Sequence, residues 1–569
     1  MNLQKWWTVA GLGMMVHFGV YAVLGGEYKG KQCVNVSEWI QSEFRIPNCE
    51  YIEIAKTFNP DKFDADEWIK RAKDAGVDYI VFTTKHHDGF ANFKTDASDF
   101  SLWNFQGRDI VAELRDACEK YGVHLGLYYS HSLDWHEKNG GGAHLDPAIS
   151  LGMSPYNDWD YPDKSDWNIE EYIHRKSLPQ VVEIMTNYAP DLIWFDFGCD
   201  ITPSQAKLFY ETVKRIKPEC MVSGRISSET DEYGDFRGFD DNAIVGNPTK
   251  DKTETIITLN ESWGYKKHDD KWKSPEFVIE TLIKCASVNS NLSINVGPKP
   301  DGTWTDETVE IFKALAEWNK INGEAVHNVV PVFAPISSED YSLTRKDNDL
   351  YLCFLKSVKE IELVHILSKV KKIEVLGNKY EVKLSEEFEE ATGVEVKKIT
   401  CAGDTYLTVI KLSFDEDIKF SQEIIEQNNA IVLKPYEGKI ISKNQERRIN
   451  SQGAVLEWNN TEDYITWDFI VRESGEYKIE VRTLCLEFSK EWRGGHKAHI
   501  NVNGKDYPIY EIVNDGNIIE AGEVWQQAKT NFGTVILDKV GKNTLTLKAD
   551  YIKPDIYSFS PIKIVLEKI

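Results

Sequence analysis

The stretch DLIWFDFGCD, Asp191 to Asp200, runs through Leu192, Ile193, Trp194 and Phe195 and then delivers a carboxylate, Asp196. Such an apolar run fits a buried strand, and an acid that closes it sits on a rigid support. Other apolar runs end the same way: His86 and His87 follow VFTTK, Tyr128 and Tyr129 close LGLYYS, Arg225 follows MVSG, and His17 follows MMV. A lone strand-end acid is often a helix cap, and a lone histidine is often structural. Recurrence on five runs points instead to one polar, aromatic-rimmed site. The chemistry it fits is hydrolysis of a glycosidic bond, which needs one carboxylate as nucleophile or base and a second carboxyl group as proton donor. Asp196 suits the first role, with Arg225 or a histidine beside it to keep it ionised. The donor stays open among Glu229, Asp231, Glu232, Asp240, Asp241 and Glu254, all downstream in mobile-looking sequence. The doublet His86–His87 raises a metal site, but consecutive strand residues face opposite sides and no HxH or HExxH occurs, so no metal and no organic cofactor is expected.

These groups meet only if the runs lie side by side. Amphipathic DADEWIKRAKDAG precedes apolar VDYIVFTT, DIVAELRDACEKYG precedes VHLGLYYS, EEYIHRKSLPQVVEIMTNYAP precedes DLIWFDF, and SPEFVIETLIKCASVN precedes NLSINVGP. Helix-period segments alternating with short apolar strands predict a (β/α)8-like barrel over residues 1–330, with an open doubly wound sheet as the second choice. In a barrel the strand ends that carry Asp196, His86, His87, Tyr128, Arg225 and His17 share one face. Beyond Val329 short alternating pieces such as DLYLCFLK and YLTVIKLS predict a β-sandwich over 331–440. Polar KNQERRIN, residues 443–450, reads as a linker, and a second sandwich is expected over 441–569. The segment from His131 to Trp167 is too long for a routine βα turn and reads as an excursion that shapes specificity, its glycines at 140–142 arguing for mobility.

The totals exclude other classes. Against 66 Lys and Arg stand 91 Asp and Glu, a net charge of -25, and no basic run interrupts it, which argues against nucleic acid and anionic membranes as partners. Nine scattered Cys without a CxxC pair indicate neither a disulfide framework nor a zinc ribbon. The N-terminus has no basic region followed by a clean apolar stretch, so a cytoplasmic protein is expected, or a secreted one if a signal peptide has been trimmed.

Seven stretches in order, VHFGVY (16–21), SEW (37–39), TTKHHDGF (83–90), LYYS followed by LDW (127–135), LIWFDF (192–197), SWGY (262–265) and NLSINVGPKPDG (291–302), resemble the retaining α-L-fucosidases of glycoside hydrolase family 29. The resemblance implies an exo-acting hydrolase of terminal α-L-fucose, acting on a fucosylated oligosaccharide or glycoconjugate. In it Asp196 would be the nucleophile of a double displacement, and His17, Glu38, Trp39, His86, His87 and Tyr128 would bind the sugar. Arg225 would flank the nucleophile and Trp263 would pack on the C5 methyl. The chain departs from the family pattern where the acid/base is expected, with GDFRGFDDN in one region and TET in another, so Glu254, Asp240 and Asp241 are all candidates, Glu254 preferred for its spacing to SWGY. That departure motivates two rivals, a fucose-binding protein without turnover and a retaining hydrolase of a related sugar such as an α-L-galactoside. The last β segment resembles jelly-roll carbohydrate-binding modules, with packing or homo-oligomerisation as the alternative roles.

Overall fold

A computed structural model of the chain describes residues 3–147, 152–238, 241–243, 246–336, 338–442, 449–450, 452–486, 494–512, 518–520, 525–554 and 558–569. Asp240 and residues 443–448 of the expected linker lie outside the described residues. The chain divides into two units: residues 1–239, 250–282 and 290–323 form one, and 240–249, 283–289 and 324–569 the other.

The first unit is built on seven parallel strands, β1 (Leu12–Val16), β2 (Tyr79–Lys85), β3 (His124–Ser130), β4 (Leu192–Asp196), β5 (Met221–Val222), β6 (Thr253–Thr258) and β7 (Ser290–Val296), in the order β5-β4-β3-β2-β1-β7-β6. Between β5 and β6 the ring is closed by a strand-like segment. Ser223 bridges Phe236 and Gly238 bridges Glu254, both parallel. The N–H groups of Gly224 and Glu254 donate to the carbonyls of Phe236 and Arg237 at 2.9 and 3.0 Å. The helices of the repeating units include α1 (Ala65–Asp74), α2 (Ile110–Tyr121), α3 (Leu178–Tyr188) and α4 (Pro203–Ile216). Their starts are fixed by side-chain caps, from Asp64 on α1, Asp109 on α2 and Thr202 with Gln205 on α4, each of a kind that contributes about 1 kcal/mol. No described helix is long and apolar enough to cross a membrane.

Two corrections to the sequence reading concern local structure. TETIIT, read as mobile, is β6, buried along its whole length and paired with β7 from Thr253↔Ser290 to Thr258↔Asn295. Its threonines and glutamate disguise a strand, and their partners are supplied by the fold: Tyr79 and Trp194 for Glu254, the Ser290 hydroxyl for Thr255 and the Ser262 carbonyl for Thr258. The glycines at 140–142 are buried, and they belong to packing, since a Cβ on Gly140 would stand 2.3 Å from the Asp134 carbonyl oxygen. The excursion is tied down by Trp135 Nε1 on the Pro155 carbonyl and Trp167 Nε1 on that of Gly140.

The second unit is all β. A five-stranded sheet that includes Asp349–Phe354 and Val409–Ser413 and a three-stranded sheet centred on Val394–Cys401 contribute Leu352, Ile410 and Ile399 to one core. A second pair of sheets takes strands from Ile424–Ile425 and Ala430–Leu433 onward and encloses Trp467, Ile479, Leu547 and Ile564. Arg472 of the second pair is held by Glu389 and Glu362 of the first, at 2.6 and 2.5 Å.

Candidate active site

Strand periodicity decides which side chains of β4 reach the site. Residues two apart share a face, so Leu192, Trp194 and Asp196 point together while Ile193 and Phe195 point oppositely. Phe195 packs on Phe209 of α4, and Leu192 and Trp194 join Met15, Tyr79, Val81, Tyr128 and Ile256 in a cluster drawn from the ring of strands. That assigns Asp196 to the barrel interior, at the C-terminal mouth where the strands end.

Asp196 is held on two sides. The Tyr128 hydroxyl donates to Oδ2 at 2.7 Å, and Arg225 Nη1 lies 3.4 Å from Oδ1. Pairing of Ser130 with Asp196 and of Tyr128 with Trp194 across β3 and β4 makes the first contact possible. The side chain keeps 18% of its surface exposed. Burial alone would push its pKa up, but the Arg225 charge, the Tyr128 hydroxyl and the Phe197 N–H bring it below the usual carboxylate value. The acid is therefore an anion at neutral pH with an open edge, the state a nucleophile needs. Phe197, next in the chain, has φ of +56°, a left-handed conformation that costs a bulky side chain energy and is held here by its surroundings. Its ring meets Trp39 and His87, and its carbonyl accepts from Ser132.

A row of planar groups lines the mouth. His86 stacks on Tyr128 at 5.8 Å between centroids, Tyr128 stacks on Trp194 at 5.6 Å, and the Arg225 guanidinium lies 5.0 Å over the Trp194 ring. His17 stands 5.4–5.5 Å from His86, Tyr128 and Trp263, and Trp39 stands 5.2 Å from His87. Strand β2 ends at Lys85, so His86 and His87 are not on opposite faces of a sheet, and their rings lie 4.1 Å apart. Among the described residues no group of three or more His, Cys, Asp and Glu is arranged to hold a metal ion. Burial drives His17 down to about 4 and His87 to about 3, and His86 well below its ordinary value, so the three imidazoles are neutral.

Glu38 is buried, its Oε2 accepting from the Gly264 N–H at 2.9 Å and the Ser262 hydroxyl at 3.2 Å. Those bonds tie SEW to SWGY and set Trp263 beside His17. Burial pushes the Glu38 carboxyl up to about 7 against these favourable hydrogen bonds.

The structure thus brings together Asp196, His17, His86, His87, Tyr128, Arg225 and Trp263, with Trp39 against His87 and Glu38 bonded to the segment that carries Trp263. It sets Glu254 elsewhere. Glu254 is the second residue of β6, below the mouth, with no exposed surface. Tyr79 Oη donates to its Oε1 at 2.7 Å and Trp194 Nε1 to its Oε2 at 2.8 Å. Asp241 is half-buried in a turn of the other unit.

The sequence reading missed the groups behind these side chains. Asn295 receives His17 Nδ1 at 2.7 Å, Ser130 meets His87 Nδ1 at 2.7 Å, and Lys85 is sealed between Asp134, Tyr172 and the Leu133 carbonyl at 3.1–3.2 Å. The signal available for them was period two along strands: Asn295 is the last but one residue of β7, and Ser130 ends β3 as Asp196 ends β4.

A sequence model of the family described as alpha-L-fucosidase matches residues 1–324. The mouse tissue alpha-L-fucosidase is 27% identical over 352 residues, 58% of this chain and 72% of that protein, and the human tissue alpha-L-fucosidase is 26% identical over 378 residues, 62% and 76%. Among solved structures, alpha-L-fucosidase AlfC from Lactobacillus casei in complex with its alpha-L-fucose product is 36% identical, with a TM-score of 0.52 over 55% of this chain and 97% of that one. The alpha-L-fucosidase from Vibrio sp. strain EJY3 is 24% identical and superposes with a TM-score of 0.87 over 99% of this chain and 98% of that chain, a likeness of fold that takes in both the barrel and the β-rich part.

Proposed function

The chain belongs to the α-L-fucosidase family and is a glycoside hydrolase, and from that premise we propose that it releases terminal α-L-fucose with retention, through a covalent fucosyl-enzyme on Asp196. The observation that carries this reading is the state of Asp196: ionised, fixed by Tyr128 and Arg225, and open on one edge. In the first step its free lone pair attacks the anomeric carbon as the donor acid protonates the departing oxygen. In the second, water displaces the carboxylate with the same acid acting as base. The neutral imidazoles, Glu38 and the aromatic rings would receive the sugar, hydroxyls on the polar groups and the apolar C5 methyl on an aromatic face. Trp263, beside His17, is the ring assigned to the methyl, and Trp39, against His87, is a further stacking face.

For the proton donor, the environment of Glu254 supports a structural role. Both oxygens are engaged by buried donors, and the Trp194 indole to which it is bonded is also the ring beneath Arg225. A donor must give its proton to a departing oxygen and take one back from water, which calls for access that Glu254 lacks. Of the candidates that the family resemblance leaves, Asp240 and Asp241 then take the role.

Proton NMR of an aryl α-L-fucoside digest tests the stereochemistry: α-fucose appears first if the mechanism retains, and β-fucose first would refute it. Azide added to alanine variants at 240, 241 and 254 is expected to restore turnover, with formation of α-fucosyl azide, at 240 or 241. Rescue at 254 would return the donor's role to Glu254.

A further inference from the structure

Two of the mouth histidines are each anchored by one ring nitrogen, and the anchors settle where the proton sits. Asn295, the last but one residue of β7, has its side chain between three partners. Its Nδ2 donates to the Trp263 carbonyl at 2.7 Å and to the Thr258 hydroxyl at 3.1 Å, while its oxygen meets His17 Nδ1 at 2.7 Å. The Trp263 carbonyl accepts only, so rotating the amide by half a turn would set two acceptors against each other. The amide oxygen therefore faces His17, and His17 Nδ1 must carry the hydrogen. At His87 the anchor is Ser130, whose hydroxyl proton goes to the Leu133 carbonyl at 3.0 Å. With its single proton spent, Ser130 Oγ can only accept from His87 Nδ1, 2.7 Å away.

We propose that Asn295 and Ser130 are positioning residues that lock His17 and His87 in the Nδ1–H tautomer, so that both rings offer Nε2 to the sugar as a hydrogen-bond acceptor and select hydroxyls that donate. This rests on the reading of the mouth as a fucose site. Neutrality of the rings agrees with it, since burial holds both well below the ordinary histidine value. At His87 the consequence is local and specific. Nε2 lies 3.8 Å from Asp196 Oδ2, and a lone pair facing a carboxylate is not an ion pair. Two acceptors at that separation leave a place for one donor, which a sugar hydroxyl fills when it turns its proton to either of them. The carboxylate then gains orientation of the substrate without being quenched by an imidazolium, and it stays available to attack.

Three measurements test the proposal on the full chain. Neutron diffraction from deuterated crystals is expected to show deuterium on Nδ1 and none on Nε2 of both rings; deuterium on Nε2 of either overturns it. Calorimetric binding of fucose, and of fucoses in which each hydroxyl in turn is replaced by hydrogen or by fluorine, reads the same point from the ligand. Fluorine accepts but cannot donate, so at the two positions read by these histidines the fluoro sugar should bind no better than the deoxy sugar; recovery by fluorine at every position overturns the proposal. Asn295→Leu removes the acceptor that keeps the hydrogen on His17 Nδ1 and lets Nε2 carry it, so fucose affinity should fall about 10-fold as an acceptor becomes a donor. At one position fluorine should then outperform hydrogen, which a purely structural role would not produce. Ser130→Ala should weaken fucose binding several-fold and Ser130→Thr should restore it; equal binding by the alanine variant overturns the role given to Ser130. A protein that binds no fucose at all would contradict the sugar site instead, and the neutron result would still judge the tautomers.

Discussion

Two layers of polar side chains lie inside the barrel, one at the mouth around Asp196 and one beneath it around Glu254, and Trp194 belongs to both. Its indole N–H holds Glu254, while its face carries Arg225 and stacks on the Tyr128 that holds Asp196. Both carboxylates are buried in large part and both accept from a tyrosine, yet their acidities move in opposite directions. Asp196 is brought down by Arg225 and Tyr128 against burial, and Glu254 is pushed up by burial despite Tyr79, Trp194 and the Arg225 charge. The difference is a close guanidinium and an open edge. A carboxylate becomes reactive in a barrel through what approaches it from the mouth, and the layer below uses the same residue types to fill and tie the core.

The comparison can be broken most sharply at Asp196. Asp196→Ala should lower kcat/KM for an aryl fucoside on the order of 10⁴-fold, with the melting temperature close to that of the parent, while an equal loss in Glu254→Gln would erase the distinction between the layers. Tyr128→Phe removes one charge-assisted hydrogen bond and should cost about 10- to 100-fold in kcat/KM. Because that bond holds the Asp196 pKa down, the acidic limb of the pH–rate profile should move to higher pH in this variant; a limb that stays in place would detach Tyr128 from the ionisation of Asp196.

Glu38 sharpens the contrast, being a carboxyl next to the mouth that burial treats as it treats Glu254. Its folded value of about 7 lies above the unfolded value of about 4.3. The protonated form is thus favoured by folding, and its contribution is complete below about pH 4.3 and lost as pH rises toward 7, a change on the order of 3 kcal/mol. Thermal melts should show the parent losing stability over that window relative to Glu38→Gln, and parallel curves would remove the assignment. The smallest effect on turnover is expected from Glu254→Gln, less than about 10-fold. Its amide has one oxygen to meet two donors, so a buried donor loses its partner at a cost of about 1–3 kcal/mol, visible as a lower melting temperature.

Much of this was legible in the chain. The run LIWFD named a strand, its inward face and the acid at its end, because period two and burial act together along it. The pairs VFTTK–HH and LGLYYS placed their polar ends on the same face for the same reason. TETIIT was not legible as a strand, since three polar residues in succession open it and tertiary partners, Tyr79 and Trp194 on Glu254, the Ser290 hydroxyl on Thr255 and the Ser262 carbonyl on Thr258, make them tolerable in a buried position. The segment that closes the ring was missed because it pairs through two isolated bridges and carries Gly234 and Gly238 rather than an apolar run. The glycines at 140–142 misled in the other direction: absence of a side chain was read as freedom, and here it permits close packing on the Asp134 backbone. Asn295 and Ser130 were within reach of the strand-end argument, but a neutral amide or hydroxyl draws attention only once the histidine it holds is in view.

Asp196 is the carboxylate proposed to form the bond to the sugar. Incubation with a 2-deoxy-2-fluoro-α-L-fucosyl fluoride, which slows release of the glycosyl-enzyme, followed by proteolysis and mass spectrometry, tests it directly. A single fluorofucosyl adduct on the carboxylate of Asp196 is expected; an adduct on Glu254, Asp240 or Asp241 would contradict the assignment of Asp196 as the nucleophile.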